Sequence, residues 1–97
     1  MTESITLITG ASAGLGVEFA RQLSAKGHRL VLAARRKDRL EALADELANA
    51  RAVAIDLAEP GAVERLAADL GAAGEHVDGL INNAGFGLWG RFAGQNP

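Results

Sequence analysis

The chain alternates short apolar runs with longer segments of helical periodicity, and this alternation limits its fold more than any other feature. Four apolar, partly β-branched runs predict strands, at residues 4–9, 29–34, 52–56 and 79–82. Their apolar residues are continuous rather than alternating, which is typical of strands buried on both faces of a sheet. Because a helical segment separates each strand from the next, the sequence predicts an α/β fold, a βαβαβαβ parallel sheet with helices on both faces.

The first helical segment follows closely after the first strand. Apolar residues recur there every four positions and predict a helix from Leu15 to Gly27, with Leu15, Phe19 and Leu23 on its buried stripe. Gly27 is expected to terminate the helix, since glycine readily adopts the left-handed conformation common at helix C-termini.

The second and third helical segments each carry a start signal and an apolar face. Asp38, followed three positions later by Glu41, resembles a capping box, and Pro60 suits the first turn of a helix. The spacing of apolar residues predicts that the following side chains face the core: Leu40, Leu43, Ala44 and Leu47 in the second helix, and Val63, Leu66, Ala67 and Leu70 in the third.

Composition excludes several classes of protein. The chain has 97 residues, 48% of them hydrophobic, and a formal net charge of −2, which suits one domain with a packed core and argues against a nucleic-acid partner. It has no cysteine, so disulfides and thiolate metal sites are excluded. No apolar run approaches the roughly 18 residues of a membrane span, and the N-terminus lacks the basic residues of a signal peptide. These features predict a cytoplasmic protein that binds neither nucleic acid nor membrane.

A glycine-rich turn joins the first strand to the first helix. Gly10, Gly14 and Gly16 form a G-x-x-x-G-x-G pattern, and glycine lets the backbone turn tightly and approach a ligand. In an open parallel sheet, ligands bind beyond the carboxyl ends of the strands, where helix N-termini offer free N–H groups. The turn therefore predicts a site for a phosphate or pyrophosphate, with the Thr9 and Ser12 hydroxyl groups as further donors. The chain contains no Gly-Lys-Ser/Thr sequence, so it is not a P-loop.

Three motifs, in this order along the chain, resemble those of one enzyme family. The stretch "TGASAGLG" (9–16) looks like the cofactor motif of the classical short-chain dehydrogenases/reductases, and "NNAG" (82–85) ends the predicted fourth strand, where that family has it. Asp56 matches the aspartate at the end of the family's third strand. The resemblance implies a Rossmann-like sheet of strand order 3-2-1-4, truncated relative to the full family fold. Residues 1–97 would then be the N-terminal part of a single dinucleotide-binding domain.

The resemblance also implies which residues line the cofactor. Asp56 is expected to contact the adenine through its carboxylate, together with the backbone of Leu57, and Asn82 is expected mainly to fasten the sheet. No metal site is expected, because His28 and His76 lie in predicted solvent-exposed loops at the opposite end of the sheet. The other expected cofactor-binding residues lie in the glycine turn and after the fourth strand: Gly10, Ser12, Ala13, Gly14, Leu15, Gly16, Asn83, Ala84 and Gly85.

The residues at the end of the second strand indicate which nicotinamide cofactor fits. An acidic residue there would bind the ribose 2′-hydroxyl of NAD, but this chain has Ala34 followed by Arg35 and Arg36. Arginine forms paired, charge-assisted hydrogen bonds with phosphate, so Arg35, with Arg36 as helper, is predicted to bind the 2′-phosphate of NADP, and NAD is the less favoured cofactor. Many NADP-preferring relatives also carry a basic residue where this chain has Ala13. The alternative interpretation is that "RRKDR" is only the solvated start of a helix.

The resemblance implies an NADP(H)-dependent oxidoreductase that transfers hydride between nicotinamide and an alcohol or carbonyl substrate. The family's catalytic serine, Tyr-x-x-x-Lys pair and further asparagine lie downstream of the fourth strand, and this chain has no tyrosine. We therefore expect no catalytic residue, and no activity, in these 97 residues alone. Two alternatives stay open: a non-catalytic nucleotide-binding module or truncated product, and an interaction protein that completes its exposed sheet edge with another chain. A homo-oligomer is compatible with each.

Overall fold

The computed structural model describes residues 5–11 and 14–82, and it confirms the predicted alternation of strands and helices. In chain order the elements are β1 (Ile5–Thr9), α1 (Gly14–Ala25), β2 (Arg29–Ala34), α2 (Lys37–Glu46), β3 (Ala50–Ala54), α3 (Ala62–Ala72) and β4 (Val77–Asn82). β3 lies two residues earlier in the chain than predicted, and β4 begins two residues earlier. β3 stops at Ala54 because its partner strand stops at Ala34, with which Ala54 is in register.

The four strands form one parallel sheet in the order β3-β2-β1-β4. At the centre of β1, Leu7 is in register with Val31 of β2 on one side and Leu80 of β4 on the other. The predicted Rossmann-like architecture and its strand order 3-2-1-4 are confirmed. Since all strands run in the same direction, their carboxyl ends share one edge of the sheet, and each helix returns the chain to the opposite edge.

Side chains alternate between the two faces of the sheet, and each face is covered by its own helices. α3 packs on one face, over a buried core of Ile5, Leu7, Val31, Ala33, Leu57, Ala62, Leu66, Leu70 and Val77. α1 and α2 pack on the other, over Ile8, Ala11, Ala20, Leu30, Leu32, Ala34, Leu40 and Leu43. The predicted faces of α2 and α3 are confirmed, with partial burial of Ala44, Leu47, Val63 and Ala67.

α1 turns a different face to the sheet from the one predicted. Leu15 is 65% exposed and Phe19 is 36% exposed, so the prediction that they form a buried stripe with Leu23 is wrong. Gly16 and Ala20 are buried instead, and Leu23 packs only partly against the core. The physical reason is the close approach of the helix to the turn before it, which only small residues allow. The bulkier side chains are therefore rotated outward.

The ends of the helices agree with the prediction at one point and differ from it at two. Gly27 follows the end of α1 as predicted, with a left-handed φ of 89°. The predicted capping box is wrong: α2 has Arg36 as its N-cap, without a side-chain cap hydrogen bond, and Asp38 is already inside the first turn. Pro60 lies before α3 rather than in its first turn, because Gly61, with a φ of 78°, is the N-cap.

His28 and His76 are half-buried, which corrects their prediction as solvent-exposed residues. Each directly precedes a strand, so each lies at the edge of the sheet rather than at the tip of a loop. Within residues 5–11 and 14–82, no group of three or more His, Asp or Glu side chains is placed to hold a metal ion. No helix in that part of the chain is long and apolar enough to cross a membrane.

Candidate functional site

The fold brings the predicted site segments to the carboxyl edge of the sheet. Gly10 follows β1, Arg35 follows β2, and Asp56 lies two residues beyond β3. Asn82, the last residue of β4, is in register with Thr9, the last residue of β1, so the "NNAG" motif begins beside the glycine turn. Segments that are far apart in the chain thus become neighbours because the strands that carry them are parallel and adjacent.

The glycine turn has a backbone that residues with a side chain rarely adopt. Gly10 has a φ of 65° and Gly14 a φ of 57°, both in the left-handed region. Gly16 has ordinary helical geometry, but a Cβ at this position would come closer to the carbonyl oxygen of Gly10 than real Cβ atoms approach. The three glycines therefore have two roles: two of them adopt a left-handed backbone, and the third lets the first turn of α1 lie against Gly10 and Ala11.

Two polar contacts hold the base of this turn to its neighbouring strands. The backbone N–H of Ala11 donates to the carbonyl oxygen of Ala33 in β2, at 3.4 Å. The Thr9 hydroxyl donates to the carbonyl oxygen of Ile81 in β4, at 3.5 Å, and Thr9 is fully buried. Thr9 therefore contributes to the sheet, and its role as a donor to a ligand stays a prediction.

The two predicted phosphate-binding arginines project from the edge next to the turn. Arg35 and Arg36 are both exposed, whereas the side chain of Ala34 is buried under α1 and α2. The Arg36 Nε lies 3.6 Å from Oδ1 of Asp38. A hydrogen bond from the backbone N–H of Arg39, and then the charge of Arg36, hold the pKa of the Asp38 carboxyl below its usual value. Asp38 is thus an ionised neighbour of the arginine pair.

Asp56 closes a turn between β3 and α3. Its Oδ1 accepts a hydrogen bond from the backbone N–H of Ala58 at 3.0 Å, and its carbonyl oxygen accepts one from the N–H of Glu59 at 3.1 Å. The N–H of Ile55 donates to the carbonyl oxygen of Ala34 at 2.8 Å, which keeps this segment beside the end of β2. Asp56 therefore stabilises this turn, and its contact with adenine stays a prediction.

The structure places some of the predicted site residues and not others. Gly10, Gly14, Leu15 and Gly16 lie together at the start of α1, and the Leu57 side chain is buried in the core under α3. The other predicted residues lie outside the described part of the chain: Ser12, Ala13, Asn83, Ala84 and Gly85. The cofactor roles of all these residues stay predictions.

One residue at this edge was not predicted as part of the site. Asp38 was interpreted as a helix cap, but it is paired with Arg36. The signal in the sequence is the Arg-x-Asp spacing at the start of a helix, which places an acid beside an arginine that is expected to bind phosphate.

A cleft of about 800 Å³ lies at the opposite edge of the sheet. It is lined by two segments, residues 26–30 and 48–51, which precede or begin β2 and β3. Ligands of open parallel sheets bind at the carboxyl edge, so this cleft is not the candidate site.

The groups at the carboxyl edge fit a dinucleotide phosphate. A ligand can approach the backbone at the N-terminus of α1, because Gly10 and Gly16, which pack closely together there, have no side chains. Arg35 and Arg36 supply two positive charges at the next strand end. A helix N-terminus and an exposed arginine pair are both groups that can bind phosphate, and here they lie at neighbouring strand ends.

Comparison with known proteins agrees with this geometry. The chain matches the family model described as short chain dehydrogenase over residues 4–96. Over 97% of its length it is 42% identical to dehydrogenase/reductase SDR family member 7B of Bos taurus. Over 87% of its length it is 46% identical to a probable NADP-dependent dehydrogenase in the aabA 3′ region of Dichelobacter nodosus. It is also similar to the crystal structure of a metagenomic short-chain oxidoreductase in complex with NADP, with a TM-score of 0.79 and 36% identity over 90% of this chain.

The matches cover different shares of these proteins. The chain spans 32% of the bovine relative, 80% of the Dichelobacter relative and 41% of the metagenomic oxidoreductase chain. The family model covers nearly the whole chain, residues 4–96. The chain therefore belongs to the short chain dehydrogenase family.

Proposed function

We propose that this chain is the cofactor-binding part of an NADP(H)-dependent oxidoreductase, which transfers hydride between nicotinamide and an alcohol or carbonyl substrate. The observation that carries the proposal is the exposed arginine pair, Arg35 and Arg36, directly after β2 and one strand away from the glycine turn. When bound, NADP supplies or accepts the hydride. The residues of this chain bind the cofactor and orient it.

Two anion-binding elements of the chain bind different phosphate groups of the cofactor. The turn at Gly10, Gly14 and Gly16, with the N-terminus of α1, binds the pyrophosphate through backbone N–H groups. Arg35, with Arg36 as helper, binds the 2′-phosphate, because a guanidinium can form two parallel hydrogen bonds with a phosphate. Among the described residues, Arg35 has no ion pair with a carboxylate that it would have to give up.

The end of β2 favours NADP over NAD. NAD binding in this type of fold uses a carboxylate that accepts hydrogen bonds from the ribose 2′-hydroxyl. This chain has Ala34 there, with its side chain buried in the core, and two cations follow. The Dichelobacter relative is named as NADP-dependent and the metagenomic oxidoreductase was solved with NADP, which supports the same choice.

The remaining contacts are proposed from the family pattern. Asp56 already uses one carboxylate oxygen in its own turn, so contact with the adenine would be made by the other oxygen, together with the backbone of Leu57. The backbone of Leu15 would face the phosphates. The other proposed cofactor-lining residues are Ser12, Ala13, Asn83, Ala84 and Gly85.

Hydride transfer to or from a carbonyl carbon is accompanied by transfer of a proton at its oxygen. The family's tyrosine supplies that proton, and none of the 97 residues is a tyrosine. We propose that these residues bind NADP(H) and that the proton-transfer groups belong to further sequence of the same enzyme. The chain alone would then bind NADPH without oxidising it, as a non-catalytic module would.

Equilibrium binding of NADP and NAD to the purified protein tests the proposal. Arg35→Ala removes one phosphate-binding guanidinium, so we expect NADP to bind about tenfold more weakly, the range of a lost charged hydrogen bond, while NAD binding is unchanged. Arg29→Ala is the matched control, because Arg29 is an exposed arginine at the opposite end of the same strand. It should leave the binding of both cofactors unchanged.

Two results would contradict the proposal. One is a wild-type protein that binds neither cofactor, and the other is an Arg35→Ala variant that binds NADP as tightly as the wild type does. Circular dichroism of each variant confirms that the fold is retained, so that a loss of binding is not a loss of structure.

A further inference from the structure

We propose that Asp38 is a specificity-determining residue that opposes binding of the 2′-phosphate of NADP. Its carboxylate pairs with Arg36 and places a negative charge at the start of α2. Removal of this charge therefore tightens the binding of NADP but not the binding of NAD. The inference rests on the proposed function, because it concerns the same 2′-phosphate site. Asp38 is not one of the residues proposed above to bind the cofactor.

The position of Asp38 brings it to the end of β2 together with the arginines. α2 begins at Lys37, so Asp38 is the second residue of the helix, and Arg36 is its N-cap. Both side chains are largely exposed, 73% for Asp38 and 58% for Arg36, and thus accessible to a ligand from solvent. A phosphate that binds Arg35 and Arg36 would therefore lie beside this carboxylate.

The contact between Arg36 and Asp38 is loose enough to be exchanged. The 3.6 Å between Nε and Oδ1 is within ion-pair distance but beyond hydrogen-bonding distance. Exposed pairs of this kind are weak, so a phosphate with two or three oxygen acceptors can displace the carboxylate from Arg36. The displacement nevertheless weakens phosphate binding. Arg36 must give up its contact with the Asp38 carboxylate, and the carboxylate and the phosphate then repel each other.

The Asp38 carboxylate also neutralises part of the partial positive charge at the N-terminus of α2. A hydrogen bond from the backbone N–H of Arg39 holds the pKa of Asp38 below its usual value, so the group is ionised at neutral pH. A negative side chain in the first turn stabilises a helix, which is a structural reason for an acid at this position. The same charge reduces the attraction of the helix start for a cofactor phosphate.

The predicted effect of removing the Asp38 charge is specific to NADP. NAD has a hydroxyl group where NADP has the 2′-phosphate, so the charge of Asp38 has little to repel in NAD. Asp38→Asn keeps the size and polarity of the side chain and removes its charge. A merely structural role of Asp38 in α2 would change the affinity for both cofactors together, whereas the proposed role changes their ratio.

The experiment compares NADP and NAD binding to the wild type, Asp38→Asn and a control, Asp45→Asn, by isothermal titration calorimetry. Asp45 is an exposed aspartate in the same helix, two turns further along, so its substitution makes the same chemical change away from the site. We expect Asp38→Asn to bind NADP roughly twofold to fivefold more tightly, the range for exposed charge pairs, with NAD binding unchanged. Asp45→Asn should match the wild type, and the gain should shrink when salt rises from about 0.05 M to about 0.5 M.

Further variants separate the parts of the inference. In an Arg36→Ala background the gain from Asp38→Asn should be smaller, because no arginine remains for the carboxylate to occupy, and an undiminished gain would overturn the assignment of Asp38 to Arg36. An Asp38→Asn variant that binds NADP no more tightly, while Arg35→Ala weakens it, would overturn this inference and leave the proposed function standing. If Arg35→Ala has no effect on NADP, the proposed function itself fails.

Discussion

The carboxylate of Asp78 accepts a hydrogen bond from the backbone N–H of Ile5, at 3.1 Å, across the start of the β1–β4 pair. The two strands shift register at this point: Ile5 is aligned with Val77 and Thr6 with Gly79, so Asp78 is an extra residue in β4. Its side chain therefore satisfies a backbone donor at the place where the ladder is interrupted. Gly79 also suits the irregularity, because a Cβ there would lie only 2.9 Å from Oγ1 of Thr6.

Replacement of Asp78 tests this role in the sheet. Asp78→Ala leaves the N–H of Ile5, a residue that is buried, without its acceptor, and we expect a loss of about 1 kcal/mol in the free energy of unfolding. Asp78→Asn retains an oxygen acceptor and should lose less. Urea denaturation followed by circular dichroism measures both. Equal losses for the two variants would show that the hydrogen bond is not what stabilises the strand start.

Two glycine-to-alanine substitutions should have opposite effects on stability. Gly16→Ala brings a methyl group against the carbonyl oxygen of Gly10, where only backbone could yield, and we expect a loss of about 1–3 kcal/mol, together with weaker NADP binding. Gly71→Ala is the matched control, because it lies in α3 with open space around its Cβ position and should gain up to about 1 kcal/mol. Thermal denaturation of both variants distinguishes them, and destabilisation by Gly71→Ala would contradict this steric reasoning.

An ion cluster joins β3 to the C-terminal end of α3. Arg51 donates through Nε to Oε1 of Glu75 at 3.1 Å and through Nη2 to Oδ2 of Asp69 at 3.0 Å. The Glu75 side chain is only 9% exposed, so Arg51→Ala would leave a nearly buried carboxylate without its cation. We expect Arg51→Ala to lower the free energy of unfolding by about 1.5–3 kcal/mol. In a double-mutant cycle, Arg51→Ala should cost less when Glu75 is already Ala, and simple additivity would contradict the coupling.

The Arg21–Glu46 pair between α1 and α2 makes stability depend on pH in a predictable direction. Arg21 Nε lies 2.7 Å from Oε2 of Glu46, and this hydrogen bond lowers the pKa of Glu46 below its usual value of 4.5. The folded-state pKa is depressed, so the stabilisation is present above about pH 4.5 and is lost as the pH falls through the folded-state value. The effect is small because the pair is exposed to solvent.

The melting temperatures of the wild type and Arg21→Ala, measured from about pH 3 to about pH 7, test this linkage. The melting temperatures of the two proteins should differ at neutral pH and converge in acid. The Glu46→Gln variant should show the same pH dependence as Arg21→Ala. A difference that stays constant over this range would show that the pair does not stabilise the fold through the charge of Glu46.

The sequence by itself was sufficient for those features that depend on neighbours along the chain. The order of strands and helices follows from local periodicity, and so do the inward faces of α2 and α3. The glycine turn could be predicted because its pattern lies within seven consecutive residues, and Arg35 and Arg36 because they directly follow a predicted strand. In each case the physical determinant, a backbone preference or a repeat of apolar residues, is contained in a short segment.

Tertiary structure decided the features that depend on contact between distant segments. Leu15 and Phe19 are exposed because α1 must approach the turn at Gly10 through small residues, which the apolar repeat of the helix does not show. Asp78 lies 73 residues from Ile5, so no local pattern could predict that it would accept the N–H of that residue. The pairing of Asp38 with Arg36 is close in sequence, but it depends on where α2 begins. Strand pairing and helix packing set these positions, since both bring together groups whose separation along the chain carries no information about their separation in space.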